Sequence, residues 1–263
     1  YKLLLGVNID HIAVLREARK INDPNPLDAL GICKLSGADQ ITIHLREDRR
    51  HIHDNDAVAI IKQSSLPVNL ECSINNDIID IVCNLKPTRA TLVPENRDEV
   101  TTEGGLDVKG NFEKLQKVID KLHENGIEVS LFIDPNKEII ELSKELEVEW
   151  IELHTGTFAN IYAMLNSNLS QTHHTIKELE LSKDELKNRL NKAIKEIENT
   201  SKLAKKLNLK IAAGHGLNYQ NVRLISKIPE IEELNIGQSI IARSVFIGLG
   251  QAIIDMKELI KND

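Results

Sequence analysis

Aromatic residues make up only 3% of this chain, with a single Trp, so stacked rings cannot build its interior. A core of Ile, Leu, Val and Ala remains, which suits strands and helices packed in layers. No apolar run approaches the ~20 residues of a membrane span, and no signal peptide is visible. The chain is therefore expected in the cytoplasm, with no membrane partner. Cysteine is scarce: Cys33, Cys72 and Cys83 show no metal-type spacing and fit reduced cytosolic thiols. Neither a dinucleotide glycine fingerprint nor a Walker A sequence follows the first apolar run. No Lys closes a strand-like run, which disfavours an enzyme-bound Schiff base. Positive charge is in deficit, and a formal net charge of -7 opposes a nucleic-acid partner. The densest basic cluster, Arg46 to Arg50, is mixed with Glu47 and Asp48 and better suits a small phosphorylated ligand.

What is present is a rhythm. Apolar runs near Leu3–Ile9, Gln40–Leu45, Pro67–Cys72, Arg89–Val93, Glu128–Ile133, Glu149–His154, Leu209–Ala213 and Leu234–Gly237 predict strands. Helix-spaced segments lie between them, at Pro26–Ser36, Ala57–Ser64, Asn75–Asn84, Asn111–Glu124 and Pro135–Glu147. Strands alternating with helices imply parallel pairing and right-handed crossovers. The 263 residues match the ~250 of a single α/β barrel. The expected fold is a (β/α)8 TIM barrel in one domain over residues 1–263, its strands near-continuously apolar because both sides are covered.

Punctuation supports the pattern. Ser36-Gly37-Ala38-Asp39 and Asn125-Gly126 predict helix stops, and Asp134-Pro135 places Pro at a helix start. Two connections are long. Pro94 to Gly110, with Thr101, Thr102, Glu103, Gly104 and Gly105, suits a lid over a site or else a surface loop. Between the sixth and seventh strands, Ser182–Leu207 predicts a charged amphipathic helix, preceded by a helical insertion at about 159–180. His173 and His174 fall in that insertion and are read as solvated surface.

The strands end in ionisable residues, as in a barrel with its chemistry at one mouth. His44 and Arg46, two apart, would share a face; imidazole suits proton transfer and guanidinium suits phosphate. Glu71 ends an apolar run, where desolvation raises a carboxyl toward acid–base range, unless it serves a structural ion pair. Glu152 and His154 repeat the arrangement. His51 and His53 could form a metal pair, but the surrounding Arg residues argue against a cation there. Gly214-His215-Gly216 and Gly237-Gln238-Ser239 follow the seventh and eighth strands, where barrels of this class hold phosphate. On these residues alone, an isomerase or metal-assisted hydrolase on this fold and a catalytically silent phosphoester-binding barrel are open readings.

Longer motifs go further. Gly6-Val7-Asn8-Ile9-Asp10-His11, Thr42 through His51, Leu92-Val93-Pro94-Glu95 with Thr101 through Asp107, Val129 through Asp134, Glu152-Leu153-His154-Thr155-Gly156, Ala213 through Leu217 and Glu233 through Gly237 resemble the pyridoxine 5′-phosphate synthase family. The resemblance spans nearly the whole chain, departing around Ala159–Glu180, where this chain is longer. It implies condensation of 3-amino-2-oxopropyl phosphate with 1-deoxy-D-xylulose 5-phosphate, without redox cofactor or metal. It implies acid–base roles for His44 and Glu71, proton donation by His215 and transition-state stabilisation by Glu152. Asp10, His11, Arg46, His51 and Thr101 would hold the deoxyxylulose phosphate. Asn8, Arg19, Gly216, Gly237 and Gln238 would hold the amino-ketone phosphate. A homo-oligomer, an octamer, is implied as well.

Overall fold

The computed structural model describes residues 2–95 and 104–261. Eight strands run in chain order: β1 (Leu4–Asn8), β2 (Gln40–His44), β3 (Val68–Cys72), β4 (Arg89–Leu92), β5 (Glu128–Ile133), β6 (Trp150–His154), β7 (Lys210–Gly214) and β8 (Glu233–Ile236). Each pairs in parallel with the next, and β8 closes on β1, so the sheet has no edge. The helices are α1 (Asp10–Arg19), α2 (Asp28–Leu35), α3 (Asp54–Gln63), α4 (Asn76–Leu85), α5 (Phe112–Glu124), α6 (Lys137–Glu145), α7 (Gly156–Asn166), α8 (Lys183–Lys206), α9 (Val222–Ser226), α10 (Gln238–Ile247) and α11 (Leu249–Ile260).

The helices form where the sequence alternates on a helical period. In α5 the buried residues are Leu115, Val118, Ile119 and Leu122, one stripe against the sheet. Side-chain caps set several starts. Asn75 accepts from the Asp77 amide, and Ser182 accepts from the Glu185 amide. Pro135 does not begin a helix as its sequence context predicts. Asn136 intervenes as the cap, accepting from the Glu138 and Ile139 amides, and α6 starts at Lys137. Gly37 and Gly126 adopt φ of 94° and 73°, as the predicted helix stops require.

Two expectations need correction. The strands are not apolar throughout; they alternate. Ile41, Ile43, Leu70, Leu92, Leu131, Ile151 and Leu153 are fully buried on the apolar side of the strands. The opposite side carries Gln40, Thr42, Asn69, Arg89, Thr91, Glu152, Glu233 and Asn235, joined across the interior. Arg89 ion-pairs with Glu233 at 2.8 Å and lies 3.7 Å over the Trp150 ring. Burying polar groups is tolerable only with such partners. Gly6 makes the network possible: a Cβ there would lie 2.0 Å from Asn235 Oδ1, which accepts the Thr42 hydroxyl across β1.

The helical insertion expected at 159–180 is helical only in part. Residues 159–166 complete α7, and single 3-10 turns follow at Leu169–Gln171 and Lys177–Leu179. His173 and His174 are exposed there, their rings 3.8 Å apart. No described helix is long and apolar enough to cross a membrane.

Candidate active site

At the C-terminal ends of the strands lies a cavity of about 510 Å³. Its walls come from several strand ends, so each polar side chain is placed by a different β–α junction. Asn8 and Asp10 leave β1 interlocked: Asn8 Nδ2 donates to Asp10 Oδ2, and the Asp10 amide donates to Asn8 Oδ1, both at 2.9 Å. Asp10 Oδ1 also accepts the His44 amide at 2.9 Å, tying the ends of β1 and β2 together. His11 lines the cavity from the first turn of α1.

His44 sits between two carboxylates. Its Nδ1 is 3.9 Å from Glu71 Oε2, and its Nε2 is 3.2 Å from Glu95 Oε1. Burial pushes the Glu95 carboxyl up, but hydrogen bonds from His44 and the Glu47 amide outweigh it and leave it below the usual carboxylate range. An ionised Glu95 can only accept, so it favours a proton on His44 Nε2 and leaves Nδ1 toward Glu71.

Arg46 is 3% exposed and donates to both Asp48 oxygens at 3.1 Å. That contact, with Arg50, holds the Asp48 carboxyl far below its ordinary range. His51 is pushed down to about 3, first by burial and then by the charges of His44, Arg46 and His11. Its Nδ1 accepts the Ile52 amide, so the neutral ring presents Nε2 as a donor. Arg16, buried on α1, donates to the His51 carbonyl at 2.8 Å and fixes that turn.

Glu152 rises from β6 at 3% exposure, its carboxyl pushed up to about 7 by burial, against the hydrogen bond from Asn235. Such a group exchanges a proton near neutrality. His215 and Gly216 after β7, and Gly237 and Gln238 after β8, line the same cavity. Gly237 caps α10 and Gln238 begins it, so the helix turns its positive end to the cavity.

The structure thus brings Asn8, Asp10, His11, His44, Arg46, His51, Glu71, Glu152, His215, Gly216, Gly237 and Gln238 to one cavity. It does not bring Arg19, which is exposed at the last position of α1. Thr101 lies outside the described residues, as do 96–103 of the expected lid. Of that connection, Pro94 and Gly104 line the cavity, while Leu106 and Val108 are buried beyond it. His154, expected beside Glu152 at the mouth, lies behind the cavity wall, 2.9 Å from Asp134. Glu95, Asp134 and Asn235 carried no role in the sequence reading. The strand-end signal covers the first two, and the polar alternation of β8 covers the third.

The family model for Pyridoxal phosphate biosynthesis protein PdxJ matches residues 5–262. A pyridoxine 5′-phosphate synthase of Aliarcobacter butzleri is 88% identical over 261 residues, covering 99% of this chain and 100% of that one. One from Sulfurovum sp. is 64% identical, covering 98% and 100%. Among solved structures, N-(5′-phosphoribosyl)anthranilate isomerase from Pyrococcus furiosus superposes with a TM-score of 0.58 at 14% identity, over 99% of this chain and 100% of that one. That likeness shows the fold, a (β/α)8 barrel. With barrel, cavity and full-length match in agreement, the chain belongs to the family of the pyridoxal phosphate biosynthesis protein PdxJ.

Proposed function

We propose that this barrel condenses 3-amino-2-oxopropyl phosphate with 1-deoxy-D-xylulose 5-phosphate to pyridoxine 5′-phosphate. The amine of the first attacks the ketone of the second. Water and the sugar's phosphate leave, and the pyridine ring closes. The observation that carries the reading is the cluster of His44, Glu71, Glu152 and His215 around one 510 Å³ cavity. The chain's 88% identity to a curated pyridoxine 5′-phosphate synthase supports it.

His44 and Glu71 take the acid–base roles. They occupy register-paired positions at the ends of β2 and β3, which supports proton exchange on one bound intermediate. Serial dehydrations need several proton donors and acceptors within reach, each worth roughly a hundred- to ten-thousandfold in rate. His215 donates a proton, and Glu152 stabilises charge from beneath. Arg46, His51, Asp10 and His11 hold the deoxyxylulose phosphate, with Thr101 assigned on family resemblance. Asn8, Gly216, Gly237 and Gln238 hold the amino-ketone phosphate, where α10 offers its amides. Arg19, exposed beyond the cavity, is kept in this set on resemblance alone.

The same reading includes assembly with further copies of the chain. Leu35 on α2 and Val245 and Phe246 on α10 are 90%, 68% and 87% exposed, which supports a homo-oligomer; family resemblance suggests eight copies. It also includes a cytoplasmic location, where phosphorylated precursors are retained.

Product analysis by mass spectrometry tests the reaction. The purified protein is mixed with both substrates, without added metal or nucleotide. Pyridoxine 5′-phosphate with free phosphate is the expected result. Binding of both substrates without product would overturn the reading in favour of a silent phosphoester-binding barrel.

A further inference from the structure

We infer that Asp134 and His154 form the positioning unit of His215, an inference that rests on the proton-donor role given to His215 above. His154 is the last residue of β6 and is 3% exposed. Its Nδ1 lies 2.9 Å from Asp134 Oδ1. The Asp134 carboxyl sits below its ordinary range, chiefly through that hydrogen bond and further through the Gly105 amide. Being ionised, it can only accept, so the proton is on His154 Nδ1. In the neutral ring Nε2 is then a bare lone pair, buried and without a hydrogen-bond partner. An orphaned buried acceptor is costly and calls for an explanation.

Its surroundings supply one. The His154 and His215 rings meet edge-on, their centroids 5.0 Å apart and their planes at 67°. Phe132 completes the cluster, 5.1 Å from His154 and 6.3 Å from His215. Gly156 keeps the gap clear: a Cβ there would lie 2.4 Å from His154 Nε2 and 3.0 Å from His215 Cδ2. Any side chain at 156 would part the two rings.

His215 needs such a seat. Its φ is +79°, in the left-handed region that costs a non-glycine residue free energy. The Thr155 hydroxyl contacts the Gly214 and His215 carbonyls at 2.7 and 2.6 Å, and Asn221 Nδ2 donates to the Gly216 carbonyl, which pins the backbone. The imidazole itself is exposed and rests against the buried ring of His154 and the ring of Phe132. Asp134 locks the orientation of His154, and the fixed dipole of that ring acts on the proton His215 carries.

The test uses the full-length protein and Asp134→Asn, with His154→Phe as the second variant. Asp134 is half exposed on its side chain, so the near-isosteric change leaves folding intact, as a melting curve verifies. The expected result for Asp134→Asn is a fall in kcat of about tenfold, the KM of both substrates within about twofold, and a shift of roughly half a unit in the NMR titration of His215. The His215 ring signals are assigned by their loss in His215→Ala. Other ionisable groups lining the cavity, Glu152, His44 and Glu71 among them, are unchanged in these variants. Wild-type kcat, or a lower kcat with the His215 titration unmoved, would overturn the inference. If the titration moves while the wild-type protein makes no pyridoxine 5′-phosphate, the positioning stands and the reaction assignment fails, so the two failures are distinguishable.

Discussion

Glu95 Oε1 lies 3.2 Å from His44 Nε2, on the side of the ring opposite Glu71, whose Oε2 is 3.9 Å from Nδ1. The proposed roles put an orienting carboxylate on one nitrogen and a reactive partner on the other, and so separate the two acids by function. Glu71→Gln removes a proton carrier and should lower kcat by a hundredfold or more, whereas Glu95→Gln should cost only about tenfold by loosening the ring. Steady-state kinetics on both variants checks the order. Equal losses would mean that Glu95 exchanges protons itself.

Arg46 offers a guanidinium that is almost wholly buried at the cavity wall. Loss of a charge-assisted contact to phosphate is worth ~1.5–3 kcal/mol, or roughly ten- to a hundredfold in affinity. Arg46→Ala should therefore raise the KM for 1-deoxy-D-xylulose 5-phosphate by that factor. The KM for the amino-ketone should stay near wild type. Calorimetric titration with each substrate separately measures the split.

Two buried groups make stability depend on pH with opposite signs. His51 falls from an ordinary 6.5 to about 3, so its neutral form is favoured in the fold. Its contribution is complete above 6.5 and is lost as pH falls toward 3. Glu152 rises from 4.5 to about 7, so its protonated form is favoured. Its contribution is complete below 4.5 and is lost as pH rises through 7. Glu152→Gln should flatten the decline between 4.5 and 7, and His51→Gln should flatten the decline between 6.5 and 3. Urea melts across this range test both. An unchanged profile in either variant would remove that residue from the linkage.

The barrel was legible because its junctions are punctuated. All eight strands fall within a residue or two of their predicted bounds, since each apolar run stops at a polar residue. The polar interior was not legible. In Gln40-Ile41-Thr42-Ile43-His44 the alternation is plain, yet parallel strands are usually covered by apolar layers on both sides. Which side of the alternation faces inward depends on partners almost two hundred residues away, such as Gln40 and Glu233. The stretch after Asn166 offered helix-like length but is rich in Ser, Asn and Thr, which prefer local turns to helix interiors. In the site, strand-end polarity was enough to single out His44, Arg46, Glu71, Glu152 and His215. Glu95 and Asp134 obey the same rule, but a neighbouring Pro disguised each as loop. His154 stood out by the same signal, although it turns to Asp134 rather than lining the cavity.

On the proposed mechanism His44, held between Glu71 and Glu95, moves protons during ring closure. The most direct test compares pyridoxine 5′-phosphate formation by wild-type protein and His44→Ala at saturating substrates. A fall of at least about a hundredfold at an unchanged melting temperature is expected, because the ring contributes catalysis rather than core packing. A folded His44→Ala protein that forms product at a near-normal rate would contradict it.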